Sequence, residues 1–386
     1  MRLKIAQKFF TMSFTTKVLP VNREAISFVN DMPIFSDVVT KENLELAAKE
    51  IQKAGTVVAF PTETVYGLGG SALNDESVKS IYKAKNRPAD NPLIVHVSSV
   101  DQLQRLILTK LHTIPPVYEK LIERFWPGPL TILVPVEEGS PVLKLVTADQ
   151  NTVGIRMPDH PVARALIALS DTPIAAPSAN ASTRPSPTLA NHVLHDLNTK
   201  IPYILDGGLC SVGLESSVVD GLVSPPMLLR PGGLTAEDIR EYGGGEWENL
   251  VLAKRTAGDS ETVRTPGMKY RHYSPTAKVV LFVDCGDGKS AVSKYMEGKD
   301  IEHAKVAVLR AGKFVSSGEL GLLGAIERRM GNNSGEVAHS LFKLLREVDE
   351  MDVSLIIVEG VEESGDGLAV MNRLSKAAFE TITGEE

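Results

Sequence analysis

A short apolar segment, Thr56 to Phe60, stops at Pro61 and is followed by Thr62, Glu63, Thr64, Val65, Tyr66 and Gly67; a cationic stretch with Lys83, Lys85, Arg87 and Asn91 comes soon after. A buried strand ending at Pro61 delivers hydroxyls and flexible backbone to one place, and the second stretch delivers cations nearby. That combination suits a polyphosphate together with a small polar co-substrate. Lys85 offers phosphate oxygens a point charge and Arg87 a planar fork; the same cations also suit the C-terminal dipole of a solvated helix end. Arg156 lies inside an apolar strand pattern, where a buried guanidinium needs either a structural ion pair or a substrate carboxylate. Arg230, closing Met227-Leu-Leu-Arg230, has the same two readings. Ser178, Asn180, Ser182 and Ser186 crowd one loop after a strand, a pattern that turn chemistry also produces. His96 alternates with Val95 and Val97, as a structural histidine would. Together, four elements bring cations or hydroxyls to the rims of one sheet, which favours an anion site.

The elements that must hold these residues follow from periodicity and breakers. A helix is expected over 44–53, a strand over 56–60, and a helix begun by Asn74 or Asp75 and ended by Pro88. Strands follow at 93–97, 130–136, 152–157 and 173–177, with helical segments at 100–125 and 161–170. Trp126-Pro-Gly-Pro129 forces a turn. Short strands near 203–206, 216–222 and 227–230 complete an α/β domain with a twisted, mixed sheet. The pattern stops between 243 and 276, which reads as a linker, although two tyrosines, two cations and a histidine at 269–273 are costly to leave in a spacer. Strands 279–283, 305–309 and 354–358, with helices at 335–348 and 370–382, describe a smaller parallel α/β (Rossmann-like) unit. The expected division is an N-terminal extension (1–39), a catalytic domain (40–242), a linker or lid (243–276) and a C-terminal domain (277–386).

Composition narrows the class. The 386 residues carry a formal net charge of −7, which argues against a broad nucleic-acid footprint but allows a local basic pocket. Two cysteines, Cys210 and Cys285, do not make a disulfide framework and suit a reducing, cytoplasmic setting. No apolar run is long enough for a membrane span. Arg2, Lys4, Lys8, Lys17 and Arg23 precede the first acid, Glu24, so the N-terminus reads either as a mitochondrial targeting peptide or as a solvated basic tail. No phosphate-binding P-loop, dinucleotide fingerprint, zinc motif or nucleophile elbow occurs.

Pro61-Thr-Glu-Thr-Val-Tyr-Gly-Leu68, Lys85-Asn-Arg87, Trp126-Pro-Gly-Pro-Leu-Thr131, Gly154-Ile-Arg-Met-Pro158, Ser178-Ala-Asn180 and Leu229-Arg-Pro-Gly232 resemble the motifs of the YrdC-like threonylcarbamoyl-AMP synthases. The likeness covers roughly residues 40–242; Tyr270-Arg-His-Tyr-Ser-Pro275 and the C-terminal segment resemble the family's long form. The resemblance implies conversion of L-threonine, bicarbonate or CO2 and ATP to threonylcarbamoyl-AMP and pyrophosphate. The product then serves tRNA threonylcarbamoyladenosine formation by a separate transferase, with no direct tRNA binding required. It implies catalytic cations Lys85 and Arg87. ATP would be held by Arg87, Asn91, Thr152, Ser178, Asn180, Ser186, Arg230 and Tyr273. Threonine would be held by Thr64, His96, Arg156, the Ala176 backbone and Ser216. Mg2+ is expected with the triphosphate, with no protein ligand named. Thr183-Arg184 stands where the family usually has a glycine. An RNA-binding module with a cationic concave sheet is the alternative reading.

Overall fold

The computed structural model describes residues 15–108, 113–136, 138–253 and 272–384. The larger domain is built on eleven strands. In chain order they and the β2–β3 hairpin are β1 (Lys17–Pro20), β2 (Ile26–Val29), β3 (Met32–Phe35), β4 (Val58–Phe60), β5 (Gly67–Ser71), β6 (Ile94–His96), β7 (Leu130–Pro135), β8 (Thr152–Arg156), β9 (Ile174–Ala175), β10 (Tyr203–Asp206), β11 (Ser217–Asp220), β12 (Met227–Arg230) and β13 (Val251–Leu252). Their order across the sheet is β1-β10-β4-β5-β9-β6-β8-β7-β11-β12-β13, with parallel and antiparallel pairs mixed. Two apolar layers cover the sheet. Helix Asp75–Lys85 packs on one with Val78 and Ile81, and helices Val38–Ile51 and Pro161–Ser170 on the other with Leu44, Ile51, Leu166 and Ile167.

Register explains why dispersed residues meet. His96, the last residue of β6, pairs with Arg156, the last of β8, and Arg156 pairs with Thr131 on β7. Three polar side chains thus occupy one row of an otherwise apolar sheet. Helix Asp75–Lys85 begins at Asn74, whose side chain accepts from the Ser77 amide, and stops at Asn86, whose left-handed backbone (φ 52°) turns the chain toward Arg87.

The smaller domain is a five-stranded, wholly parallel sheet. Its strands are β14 (Lys278–Val283), β15 (Val306–Arg310), β16 (Ile326–Arg329), β17 (Leu355–Glu359) and β18 (Glu380–Thr383), in the order β16-β15-β17-β14-β18. Helices Ser334–Asp349 and Asp366–Ala377 cover one face. That core does not end at the domain boundary: Val65, Leu214 and Tyr273 belong to the same apolar cluster as Leu341, Phe342 and Val370. The two domains therefore bury surface against each other beside the loop after β4.

Several boundaries differ from expectation. Residues 17–35 are not an appendage: β1 pairs in parallel with β10, and β2–β3 form a hairpin beside helix Pro161–Ser170. The first 14 residues, which carry most of the basic N-terminus, lie outside the described residues. Residues 245–252 belong to the larger domain, because Trp247 is buried under it and β13 pairs with β12. Lys269, Tyr270 and Arg271 lie outside the described residues. The last helix stops at Ala377, and Glu380–Thr383 pairs with β14 as an edge strand. The alternation of Thr381, Ile382 and Thr383, with Ile382 facing the apolar layer, explains why this tail extends rather than coils.

Candidate active site

The loop after β4 is folded by its own hydroxyls. The Thr62 hydroxyl donates to the Val65 carbonyl at 2.7 Å and lies 2.8 Å from the Thr64 hydroxyl, and it accepts from the Thr64 and Val65 amides. Glu63 between them turns inward and meets Arg156, Nη2 to Oε1 at 2.5 Å, with 5% and 6% of the two side chains exposed. Arg156 Nε donates to the Gly128 carbonyl at 3.2 Å, which explains the need for the tight Trp126-Pro-Gly-Pro129 turn. Of the two sequence readings of Arg156, the buried ion pair is therefore present. The guanidinium still lines the cavity, so the pair holds it in place there. His96 lies beside it. Burial, with Arg156 adding, pushes this imidazole down to about 3, so it is neutral.

A second wall comes from the helix end and the loop after β9. The Lys85 ammonium donates to the carbonyls of Ser178 and Asn180, the latter at 2.7 Å, and reaches Asn180 Oδ1 at 3.5 Å. Burial, with Arg87 adding, holds its pKa well below the ordinary lysine value. Lys85 thus fastens the Ser178–Asn180 loop as well as facing the cavity. The Arg87 guanidinium also faces the cavity and makes no hydrogen bond or ion pair to any described residue, while its backbone amide donates to the Tyr82 carbonyl at 3.0 Å. Thr183, in the position flagged by the missing glycine, has φ 74°, a left-handed conformation that strains a β-branched side chain.

The third wall joins the two domains. Arg230 donates through Nε and Nη2 to the Ser216 carbonyl at 3.1 and 2.8 Å, and Nη2 reaches the Ser216 hydroxyl at 3.1 Å. Glu215, next door, accepts from the Ser186 hydroxyl at 2.6 Å and from Arg373 Nε, on the C-terminal domain, at 2.8 Å. Burial alone would raise the Glu215 pKa, yet Arg373, Arg230 and the Ser186 hydroxyl bring it to about 2. Tyr273 closes this side. Its ring lies 5.2 Å from Phe342 and 5.6 Å from the Arg373 guanidinium, and burial with Glu215 pushes its hydroxyl up to about 12. The Ser274 amide donates to the Thr183 carbonyl at 2.8 Å, tying the segment to the loop it covers.

These walls enclose a cavity of about 230 Å³. Of the residues singled out in the sequence, Thr64, Lys85, Arg87, Asn91, His96, Arg156, Ala176, Ser178, Ser182, Ser216, Arg230 and Tyr273 line it. Three others stand off. Thr152 begins β8 and pairs with Pro135, at the far end of the strand from Arg156. Asn180 sits behind Lys85, and Ser186 behind Glu215. Glu63, Thr62 and Glu215 were given no role from the sequence, and His272 was noted only as part of the 269–273 cluster. No local signal marks Glu215, which stands in a polar Glu-Ser-Ser run leading into β11. No group of three metal-binding side chains occurs among the described residues.

A mixed-sheet domain whose cavity gathers three guanidinium groups, an ammonium and several hydroxyls, closed by a parallel α/β domain, defines a two-domain enzyme of the nucleotidyltransferase type. Residues 50–232 match the Sua5–YciO–YrdC family, described as telomere recombination, and residues 234–379 match the threonylcarbamoyl-AMP synthase C-terminal domain. The chain is 50% identical over 369 residues to threonylcarbamoyl-AMP synthase of Schizosaccharomyces pombe, spanning 89% of this chain and 90% of that protein. It is 46% identical over 341 residues to that of Pyrococcus abyssi, spanning 87% and 94%. A crystal structure of P. abyssi Sua5 complexed with L-threonine superposes with a TM-score of 0.80 at 41% identity, covering 96% of this chain and all of that one. The chain belongs to the threonylcarbamoyl-AMP synthase family, in the long form that carries the C-terminal domain. It is an adenylate-forming enzyme with ATP as a substrate.

Proposed function

We propose that the cavity binds L-threonine against β6, β8 and the loop after β4, and ATP against Lys85, Arg87 and Arg230. The observation that carries this division is the contrast between two cations. Arg156 is locked beside neutral His96 and Thr64, whereas Arg87 faces the same cavity with no described partner. The Arg156 guanidinium suits the amino-acid carboxylate. Thr64 and Ser216 suit its hydroxyl and amine, and the Ala176 backbone closes that end. Arg87, Asn91, Ser178, Arg230 and Tyr273 take the nucleotide. Thr152, Asn180 and Ser186 act at one remove.

The chemistry needs bicarbonate or CO2 beside threonine's amine. The amine nitrogen attacks the carbon of CO2 and loses a proton, giving a carbamate; from bicarbonate the same carbamate forms with a C–O bond broken and water lost. A carbamate oxygen then attacks the α-phosphorus, and the bond to pyrophosphate breaks. Such a reaction asks for positioning and charge neutralisation rather than a covalent nucleophile. Neutral His96 suits a site that must keep the amine unprotonated. With no cluster of metal-binding side chains among the described residues, Mg2+ would take its oxygens chiefly from phosphates and water. The product would pass to a separate transferase acting on tRNA, in a cytoplasmic setting; among the described residues no helix is long and apolar enough to cross a membrane. The test is pyrophosphate release from ATP with threonine and bicarbonate each present or omitted. Release that ignores threonine would overturn the reading.

A further inference from the structure

Only two carboxylates, Asp90 and Glu215, stand in the cavity wall among its described residues. A carboxylate facing a triphosphate opposes it; Asp90 is exposed at the rim, where solvent screens it, so Glu215 is the one that needs an account. Glu215 is deeply buried and receives its main cation from the other domain. Arg373, on helix Asp366–Ala377, donates through Nε to Glu215 and through Nη1 to the Pro231 carbonyl at 2.8 Å, with 0% of its side chain exposed. Nη1 also meets Asn372 Oδ1 at 2.9 Å, which fixes the fork from its own helix. The two Arg373 bonds straddle Arg230: Glu215 precedes Ser216, the residue that Arg230 grips, and Pro231 follows Arg230 directly.

We infer that Arg373 is a positioning residue for nucleotide binding, by which the C-terminal domain neutralises Glu215 and sets the Arg230 strand end for the phosphates. Arg373 does not line the cavity; it acts through Glu215 and the Pro231 carbonyl. The expected consequence is specific to one substrate. Without Arg373, the Glu215 charge faces the triphosphate uncompensated and competes for Arg230, while Arg156, His96 and Thr64 keep their own contacts. A helix that only glues two domains together would affect both substrates alike.

This inference rests on placing the nucleotide beside Arg230 and Tyr273. The experiment uses the full chain and measures KM for ATP and for threonine in wild type, Arg373→Met, Glu215→Gln and the double variant, with folding followed by circular dichroism. Arg373→Met should raise KM for ATP about tenfold or more and change KM for threonine less than about threefold. Adding Glu215→Gln to it should bring KM for ATP back most of the way, since the offending charge is gone. If Arg373→Met does not fold, the double variant decides: it should fold and keep KM for ATP within about threefold of wild type. Equal loss for both substrates, or a double variant no better than Arg373→Met, overturns the inference. Wild-type pyrophosphate release independent of threonine would instead overturn the functional reading beneath it.

Discussion

Replacing Arg156 separates structure from recognition at the threonine end. The side chain is 5% exposed, and its partner Glu63, at 2.5 Å, is 6% exposed. Glu63 Oε2 has no hydrogen-bond partner, so removing Arg156 leaves that carboxylate buried with no counter-ion. Breaking a buried pair by deleting one member costs about 3–5 kcal/mol, which in a protein of this size lowers the thermal midpoint by about 4–6 °C. Losing a charge-assisted bond to the threonine carboxylate costs a further ~1.5–3 kcal/mol of binding, about 10- to 150-fold in Kd. Arg156→Ala should therefore lose both stability and threonine affinity. The double variant Arg156→Ala/Glu63→Gln removes the stranded charge, so it should regain most of the stability and none of the threonine affinity. Differential scanning calorimetry reads the first quantity, and isothermal titration with threonine and with a non-hydrolysable ATP analogue reads the second. The reasoning is refuted if threonine affinity returns with stability in the double variant, or if ATP and threonine affinities fall together.

Acid should destabilise the fold early. His96, His160 and His192 are buried, and burial pushes them down to about 3, 4 and 4 from an ordinary 6.5. Each stays neutral in the fold but takes up a proton when unfolded, so stability is full above about pH 6.5 and falls as pH drops toward 4. The slope is about 1.4 kcal/mol per pH unit for each histidine; a urea midpoint unchanged between pH 7.5 and 5 would contradict it. At Thr183, φ 74° is paid for by a β-branched residue, so Thr183→Gly should stabilise by roughly 0.5–1 kcal/mol after its own entropy cost; a lower urea midpoint would show that its side chain holds the loop instead.

How much of this was legible in the sequence depended on whether a residue's role is local. The Asn74 cap, the stop before Pro88 and the turn at Trp126–Pro129 are short-range events, and they lie where the pattern put them. The sheet's mixed character was readable, but its register was not. Nothing near Arg156 in the chain says that His96 and Thr131 flank it, because that follows from long-range pairing. Edge elements were lost for a related reason: the pairing partners of β1 and β18 lie far away in sequence, and β13 is only two residues long. At the site, cations and hydroxyls announced themselves by type. The carboxylates that hold them, Glu63 and Glu215, did not, because an acid beside a threonine or serine reads as an ordinary polar loop until its buried partner is known.

The charges show why the smaller domain matters to the site. Each guanidinium that lines the cavity has a different degree of restraint. Arg156 is pinned by Glu63, Arg230 is held through Ser216 and lies near Glu215, and Arg87 has no described partner. Two buried carboxylates set this gradation. Glu63 is balanced from within the larger domain and Glu215 from outside it, by Arg373. A second cross-domain guanidinium, Arg346, grips Asp196 and the Pro185 carbonyl and so backs the Ser178–Ser186 loop from behind. The loop that Lys85 fastens in front is thus fastened behind by the other domain, and Tyr273 packs between them against Phe342. A larger domain cut away from its partner would keep its sheet, since the core beneath the sheet is its own. It would lose the Arg373 counter-charge of Glu215, which lines the side of the cavity assigned to ATP, and one of the two guanidinium partners of Asp196, which would keep Arg184 at 3.3 Å. With ATP placed as proposed, the C-terminal domain would contribute to the nucleotide site's electrostatics through Arg373 and back the Ser178–Ser186 loop through Arg346.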